Sequence, residues 1–80
     1  MDLKIESIDY TPLLNKLEEK RLTSYQLEHQ WGIPNKTIYN IRQGKIVTIE
    51  TLAKLAYILD TDIGQLVNFQ ISVIDNVNKY

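Results

Sequence analysis

Residues 22–45 read LTSYQLEHQWGIPNKTIYNIRQGK, and the spacing of polar and apolar side chains in this stretch decides the fold. Thr23 followed three residues later by Gln26 has the form of a capping box, in which each side chain covers a backbone N–H of the other residue. Leu27 and Trp31 then repeat at i, i+4, which predicts a helix over residues 24–31 with both on its buried face. Gly32, Ile33 and Pro34 end it, because glycine accepts the positive φ that follows many helices and proline cannot continue the hydrogen-bond ladder. Ile38 and Ile41 form the apolar pair of a further short helix over residues 35–43, which Gly44 stops.

Two short helices joined by a tight, glycine-containing turn make a helix-turn-helix, whose second helix can lie in the major groove of DNA while the first crosses the backbone. At about 100° per residue, Ile38 and Ile41 set the buried direction of that second helix, and Lys36, Tyr39, Asn40 and Gln43 fall within roughly 50° of the opposite one. None of the four is acidic and all can hydrogen-bond. Asn and Gln can grip adenine through two bonds, and Lys can reach O6 and N7 of guanine. Charge follows the same division. No carboxylate lies between Glu28 and Glu50, whereas Lys36, Arg42 and Lys45 fall inside that interval and His29 stands at its edge. A locally positive surface on a chain of net charge −1 fits one defined nucleic-acid contact better than a broad electrostatic binder. The plainer readings of neighbouring residues put Trp31 in the core, His29 on a solvated helix face, and Glu18, Glu19 and Glu50 on a solubilising surface. For Tyr39, partial burial and groove contact stand equal.

Outward from this motif, Thr11 and Pro12 read as an N-cap with proline at the first helical position, opening a helix with Leu13, Leu14 and Leu17 on one face and ending near Lys20 and Arg21. Thr48 caps a helix carrying Ile49, Leu52, Leu55, Ala56 and Leu59 as its apolar stripe. Asp62 with Gln65 opens a last short helix bearing Ile63, Leu66 and Val67. The expectation is therefore an all-α, five-helix domain. Alternation of Leu3 and Ile5, and of Phe69, Ile71 and Val73, adds short terminal β-strands as a further reading of the flanks. One domain spans residues 1–80, with its core over about 10–69 and flanks over 1–9 and 70–80. Leu27, Trp31, Ile38, Ile41, Leu52 and Leu55 are the expected core. Phe69, Ile71, Val73 and Ile74 carry too much apolar surface to remain in water, and are expected to pair with the amino-terminal strand or with a partner chain.

Eighty residues at 44% hydrophobic support one core and not two. The absence of cysteine excludes a disulfide framework and thiolate metal sites, and His29 alone cannot assemble a zinc centre. No apolar run approaches a membrane span and the charged amino terminus is unlike a signal peptide, so a cytoplasmic chain without a membrane partner is expected. No carboxylate pair has acid–base spacing, no serine sits in a nucleophile elbow, and no glycine-rich loop could cradle a nucleotide. These features point away from an enzyme, a cofactor or a small-molecule ligand.

Leu22-Thr23-Ser24, Leu27, Gly32-Ile33, Thr37-Ile38, Ile41, Gln43-Gly44-Lys45, the Thr48 helix and Asp62-Ile63-Gly64-Gln65-Leu66 together resemble the lambda-repressor-like (phage repressor and Cro-type) helix-turn-helix regulators over residues 10–69. Tyr10 to Leu13, with Asp-Ile-Gly near the end, is especially similar to a compact single-domain bacterial branch. The resemblance implies that Asn35, Lys36 and Asn40 contact bases, that Thr37 and Tyr39 meet base edges or phosphate, that Ser24 holds a phosphate at a helix N-terminus, and that Gln43 and Lys45 grip the backbone. Three positions depart from the family pattern. Glu28 replaces a small alanine, Pro34 replaces a capping serine, and Arg42 replaces a frequent glutamate. Leu17 stands where the family often has the arginine that pairs with that glutamate, so Arg42 is free to face phosphate. Pro34 leaves open whether Asn35 reads a base or caps its own helix.

The function expected from these readings is sequence-specific double-stranded DNA binding and transcriptional regulation by a homodimeric repressor on a near-palindromic operator. The alternative is a protein-interaction module on the same fold, such as an antitoxin or a phage-encoded inhibitor, which the net acidity and Glu28 favour slightly.

Overall fold

The computed structural model describes residues 1–74. A strand, β1 (Asp2–Asp9), is followed by four α-helices, α1 (Thr11–Glu19), α2 (Ser24–Trp31), α3 (Asn35–Arg42) and α4 (Ile49–Ile58). A 3-10 turn (Ile63–Gln65) then leads into β2 (Asn68–Ile74). The two strands pair antiparallel, joining the two ends of the chain. This corrects the all-α, five-helix expectation: the described residues form four α-helices and a two-stranded sheet of substantial length. The last six residues of the carboxy-terminal flank, 75–80, lie outside the described residues.

The absence of a fifth α-helix has a local cause and a distant one. Asp62 makes no side-chain cap, and the segment closes through i→i+3 bonds, Gln65 N–H to Asp62 C=O at 2.9 Å and Leu66 N–H to Ile63 C=O at 2.9 Å. The carbonyl of Leu66 then turns to α1, accepting the N–H of Leu13 at 3.1 Å. That N–H belongs to the first turn of a helix and has no partner within it. Serving it draws the chain out of helical geometry and delivers Asn68 to the sheet.

Helix α1 begins one residue earlier than its sequence signals. Thr11 is already helical, and Asp9 supplies the capping oxygen, accepting the Thr11 N–H at 2.9 Å and the Thr11 hydroxyl at 2.6 Å. The α2 capping box forms as expected, Gln26 N–H donating to the Thr23 hydroxyl at 3.1 Å and Thr23 N–H to the Gln26 side chain at 3.0 Å. Gly32 closes α2 with φ of 72°, in the left-handed region.

The core is one cluster drawn from every helix: Leu13 and Leu17 of α1, Leu27 of α2, Ile38 and Ile41 of α3, Leu52, Leu55 and Ala56 of α4. Tyr10, Ile33, Leu59, Leu66 and Val67 complete it from the connections. One expected member is absent: Trp31 is 46% exposed, and Ile49, read as part of the apolar stripe of α4, is exposed at the first position of that helix. The left-handed turn at Gly32 explains Trp31. It brings the N–H of Ile33 back to the Leu27 carbonyl at 3.0 Å, and Ile33, 2% exposed, takes the inward place beyond the end of α2. Trp31 is left on the outer surface beside Ala53, Tyr57 and Ile58 of α4.

Two outcomes test this packing. Leu52→Ala should lose about 2–5 kcal/mol of stability as a core truncation, and Trp31→Ala no more than about 1 kcal/mol, read by thermal or denaturant melts. The Asp9 cap sets a pH dependence. The Thr11 hydroxyl, and then the Thr11 N–H, hold the Asp9 carboxyl below its ordinary pKa. A folded-state pKa lowered in this way stabilises above the ordinary carboxylate range and is lost as pH falls through the lowered value. Asp9→Asn should flatten that part of the acid limb in melts taken from neutral to acidic pH, while leaving the neutral-pH fold intact.

Candidate nucleic-acid interface

With Ile38 and Ile41 each 1% exposed, α3 has one fixed orientation. Lys36, Tyr39 and Gln43 are exposed on its outer side and Asn40 is half-buried beside them, the face expected from helical spacing. Thr37 is half-buried, and Asn35, Arg42 and Lys45 are exposed. Beyond α3, Gly44 adopts φ of 73° and the chain folds back, so that Lys45 N–H reaches the Asn40 carbonyl at 2.9 Å. This return places Lys45 at the carboxy-terminal end of the same helix. Its carbonyl accepts the buried Tyr10 hydroxyl at 2.8 Å, tying the segment to the start of α1.

The cations of this surface are free of acidic partners. Among the described residues, Lys36, Arg42 and Lys45 have no carboxylate within salt-bridge distance, whereas Lys54 pairs with Glu50 at 3.2 Å and the His29 ring lies 3.9 Å from the Glu28 carboxylate. Arg42 lies between two recesses. One is lined by Ser24, Tyr25, Asn35, Ile38 and Tyr39, the other by residues of α1, including Glu18, together with Arg21, Thr23 and Ser24. Ser24 opens α2, whose first turn carries no acidic residue. The first N–H groups of such a turn and a guanidinium across the recess form a surface suited to an anion. Leu17 is buried, as its apolar character requires, and Arg42 is exposed without the partner on α1 that Leu17 replaces.

Asn35 has a partner that helical spacing does not reveal. Pro34 occupies the cap position of α3 without a side-chain bond, and the Glu28 carboxylate reaches across from α2 in its place. It accepts the Asn35 side-chain amide at 3.0 Å and lies 3.4 Å from the Asn35 backbone nitrogen. An anion at a helix N-terminus is favourable. Asn35 therefore does not cap its own helix through its side chain, and its amide oxygen is left for other use. Tyr25 also escapes the sequence reading: it is exposed, shares the recess with Asn35, Tyr39 and Arg42, and stacks on His29 with ring centres 4.1 Å apart. Its position directly after Ser24 is the signal that could have found it. The nine sequence-derived residues thus fall on α3, the N-terminus of α2 and the segment that follows α3. The described residues include no group of three or more His, Asp or Glu side chains placed to hold a metal, and no helix long and apolar enough to cross a membrane.

Comparison with solved structures finds the crystal structure of the transcriptional regulator VanUg, Form II, similar in fold at a TM-score of 0.70, with 15% sequence identity over 90% of this chain and 92% of that one. At that identity the likeness speaks for the fold alone. Comparison with curated proteins gave no match. Residues 13–71 match the Cro/C1-type HTH DNA-binding domain, a span from the first buried leucine of α1 into β2 that covers well over half of the sequence. The lambda-repressor-like resemblance is thereby borne out, and the chain belongs to the Cro/C1-type HTH DNA-binding domain family.

Proposed function

We propose that this protein is a sequence-specific transcriptional regulator that binds double-stranded DNA as a homodimer, with α3 in the major groove of each half of a near-palindromic operator. The observation that carries this reading is the outward face of α3. Burial of Ile38 and Ile41 turns Lys36, Tyr39 and Gln43 to solvent with Asn40 half-buried beside them, and no carboxylate among the described residues lies within salt-bridge distance of Lys36, Arg42 or Lys45. Asn40 and Lys36 are the base readers, with Asn35, Tyr39 and Thr37 at base edges or phosphate. Ser24, Arg42, Gln43 and Lys45 hold the sugar-phosphate backbone and set the register. Half-sites lie about one helical turn, roughly 34 Å, apart.

Glu28, with the net acidity, tilts the sequence toward a protein partner, and its carboxylate is engaged by the Asn35 side-chain amide. Its acidity is accounted for within the fold, which supports DNA as the ligand of the α3 face.

Base contacts and phosphate contacts must respond differently to mutation. Asn40→Ala should weaken binding to the preferred duplex by about 1–3 kcal/mol and relax selection at one base position per half-site, leaving scrambled-duplex affinity nearly unchanged. Lys45→Ala should weaken all duplexes alike and lower the salt slope by about one for each phosphate it no longer neutralises. Titration of both variants against preferred and scrambled duplexes at two salt concentrations reads this. If neither variant alters duplex binding while the fold is intact, the antitoxin-like or inhibitor-like reading takes its place.

A further inference from the structure

The strand register gives the terminal ribbon two unlike faces. Leu3 pairs with Val73, Ile5 with Ile71 and Ile8 with Phe69, and directly opposed residues share a face. Ile5 to Ile8 is three residues, which would turn Ile8 to the other side of a regular strand. The irregularity between Ile5 and Ser7 absorbs the extra residue and keeps Ile8 in phase with Leu3 and Ile5. One face is therefore three consecutive apolar cross-strand pairs. The opposite face carries Lys4 with Ser72, Ser7 with Gln70, and Asp9 with Asn68, and only Ile74 interrupts its polarity.

Of the apolar face, Ile8 packs against the core, and Ile5 and Phe69 border a recess shared with Tyr10, Leu52 and Val67. Leu3 is 73% exposed, Ile71 58% and Val73 54%, and Ile46 and Ile49, beside the base of the ribbon, extend the same surface. A two-stranded ribbon is marginal in water unless its apolar face is covered. These side chains with Ile5 and Phe69 leave open on the order of 800 Å², about the share each partner contributes to a standard stable interface.

We propose that this face is a dimer interface, covered by the same face of a second copy of the chain. The surface carries no charged side chain, so a twofold axis places apolar pairs on apolar pairs without like-charge repulsion, the condition for an isologous contact. The ribbon is also joined to the reading helix. Ile8 C=O lies against Gly44 at the end of α3, and the Tyr10 hydroxyl bonds the Lys45 carbonyl. Pairing two ribbons fixes the separation of two α3 helices. The choice of a second copy rests in part on the DNA-reading proposal above.

Sedimentation equilibrium of the full chain tests the interface. The wild-type chain should show the dimer mass, and Leu3→Glu and Val73→Glu, far from the core, should raise the dimer dissociation constant at least about tenfold. Lys4→Glu, on the polar face of the same strand, should leave it unchanged. Circular dichroism confirms that the helices persist. Because the chain has no cysteine, Val73→Cys offers a second measurement that leaves the face apolar. Under mild oxidation with diamide it should form a disulfide-linked dimer faster than Lys4→Cys. A monomeric wild-type chain, or a dimer indifferent to both glutamates with equal cross-linking of the two cysteine variants, overturns the proposal. A monomer that still binds duplex in a salt-dependent way overturns the interface alone, whereas a ribbon-dependent dimer that ignores duplex DNA overturns the DNA reading alone.

Discussion

Burial of Ile38 and Ile41 is the constraint on which the molecule's surface chemistry depends. Helix α3 is eight residues long, too short to be stable by itself, and those two side chains are its buried ones. They place it in one core shared with Leu27, Leu52 and Leu55. Three residues apart on one helical face, they leave no choice about what faces outward. The polar residues of α3 form a surface because the isoleucines are inside, and its cations Lys36, Arg42 and Lys45 have no carboxylate among the described residues within salt-bridge distance.

Long-range backbone and side-chain bonds hold the rest in relation to this helix. Leu13 N–H on Leu66 C=O joins α1 to the end of the helical region, and Tyr10 hydroxyl on Lys45 C=O joins the start of α1 to the end of α3. Both connect segments that the sequence keeps far apart, and both lie where the sheet meets the helices. The strands therefore enter and leave the domain beside the segment that carries Lys45. Glu28 acts more locally. Proline at the cap position leaves α3 without a side-chain cap, and the glutamate from the preceding helix supplies the missing acceptor. Two departures from the family pattern thus compensate each other.

Local signals are legible in the sequence and non-local ones are not. The α2 capping box, the left-handed glycines at 32 and 44, the Ile38 and Ile41 pair and the Thr48 cap each depend on residues a few positions apart, and each is present in the structure. Helical spacing ranks Trp31 with Leu27, yet Ile33 wins the inward place after a turn that periodicity does not describe. The fifth helix does not form because the demand on the Leu66 carbonyl comes from Leu13, near the other end of the chain. Alternation in the flanks suggests strands, but their length and register come from pairing between opposite ends of the chain, and no local pattern contains that. At the site, helical spacing places Lys36, Tyr39, Asn40 and Gln43 on one face, whereas the Glu28–Asn35 contact and the position of Tyr25 emerge only once the turn between α2 and α3 is folded.

The central claim is that the α3 face meets DNA, and backbone amide NMR of the full chain during titration with a selected duplex addresses it most directly. The account predicts shift changes concentrated at Ser24 and Tyr25, along residues 35–40, and at Gln43 and Lys45, with the α4 surface at Ala53 and Tyr57 unaffected. Changes centred on Trp31, Ala53 and Tyr57 with α3 silent, or no change at any duplex concentration, would contradict it.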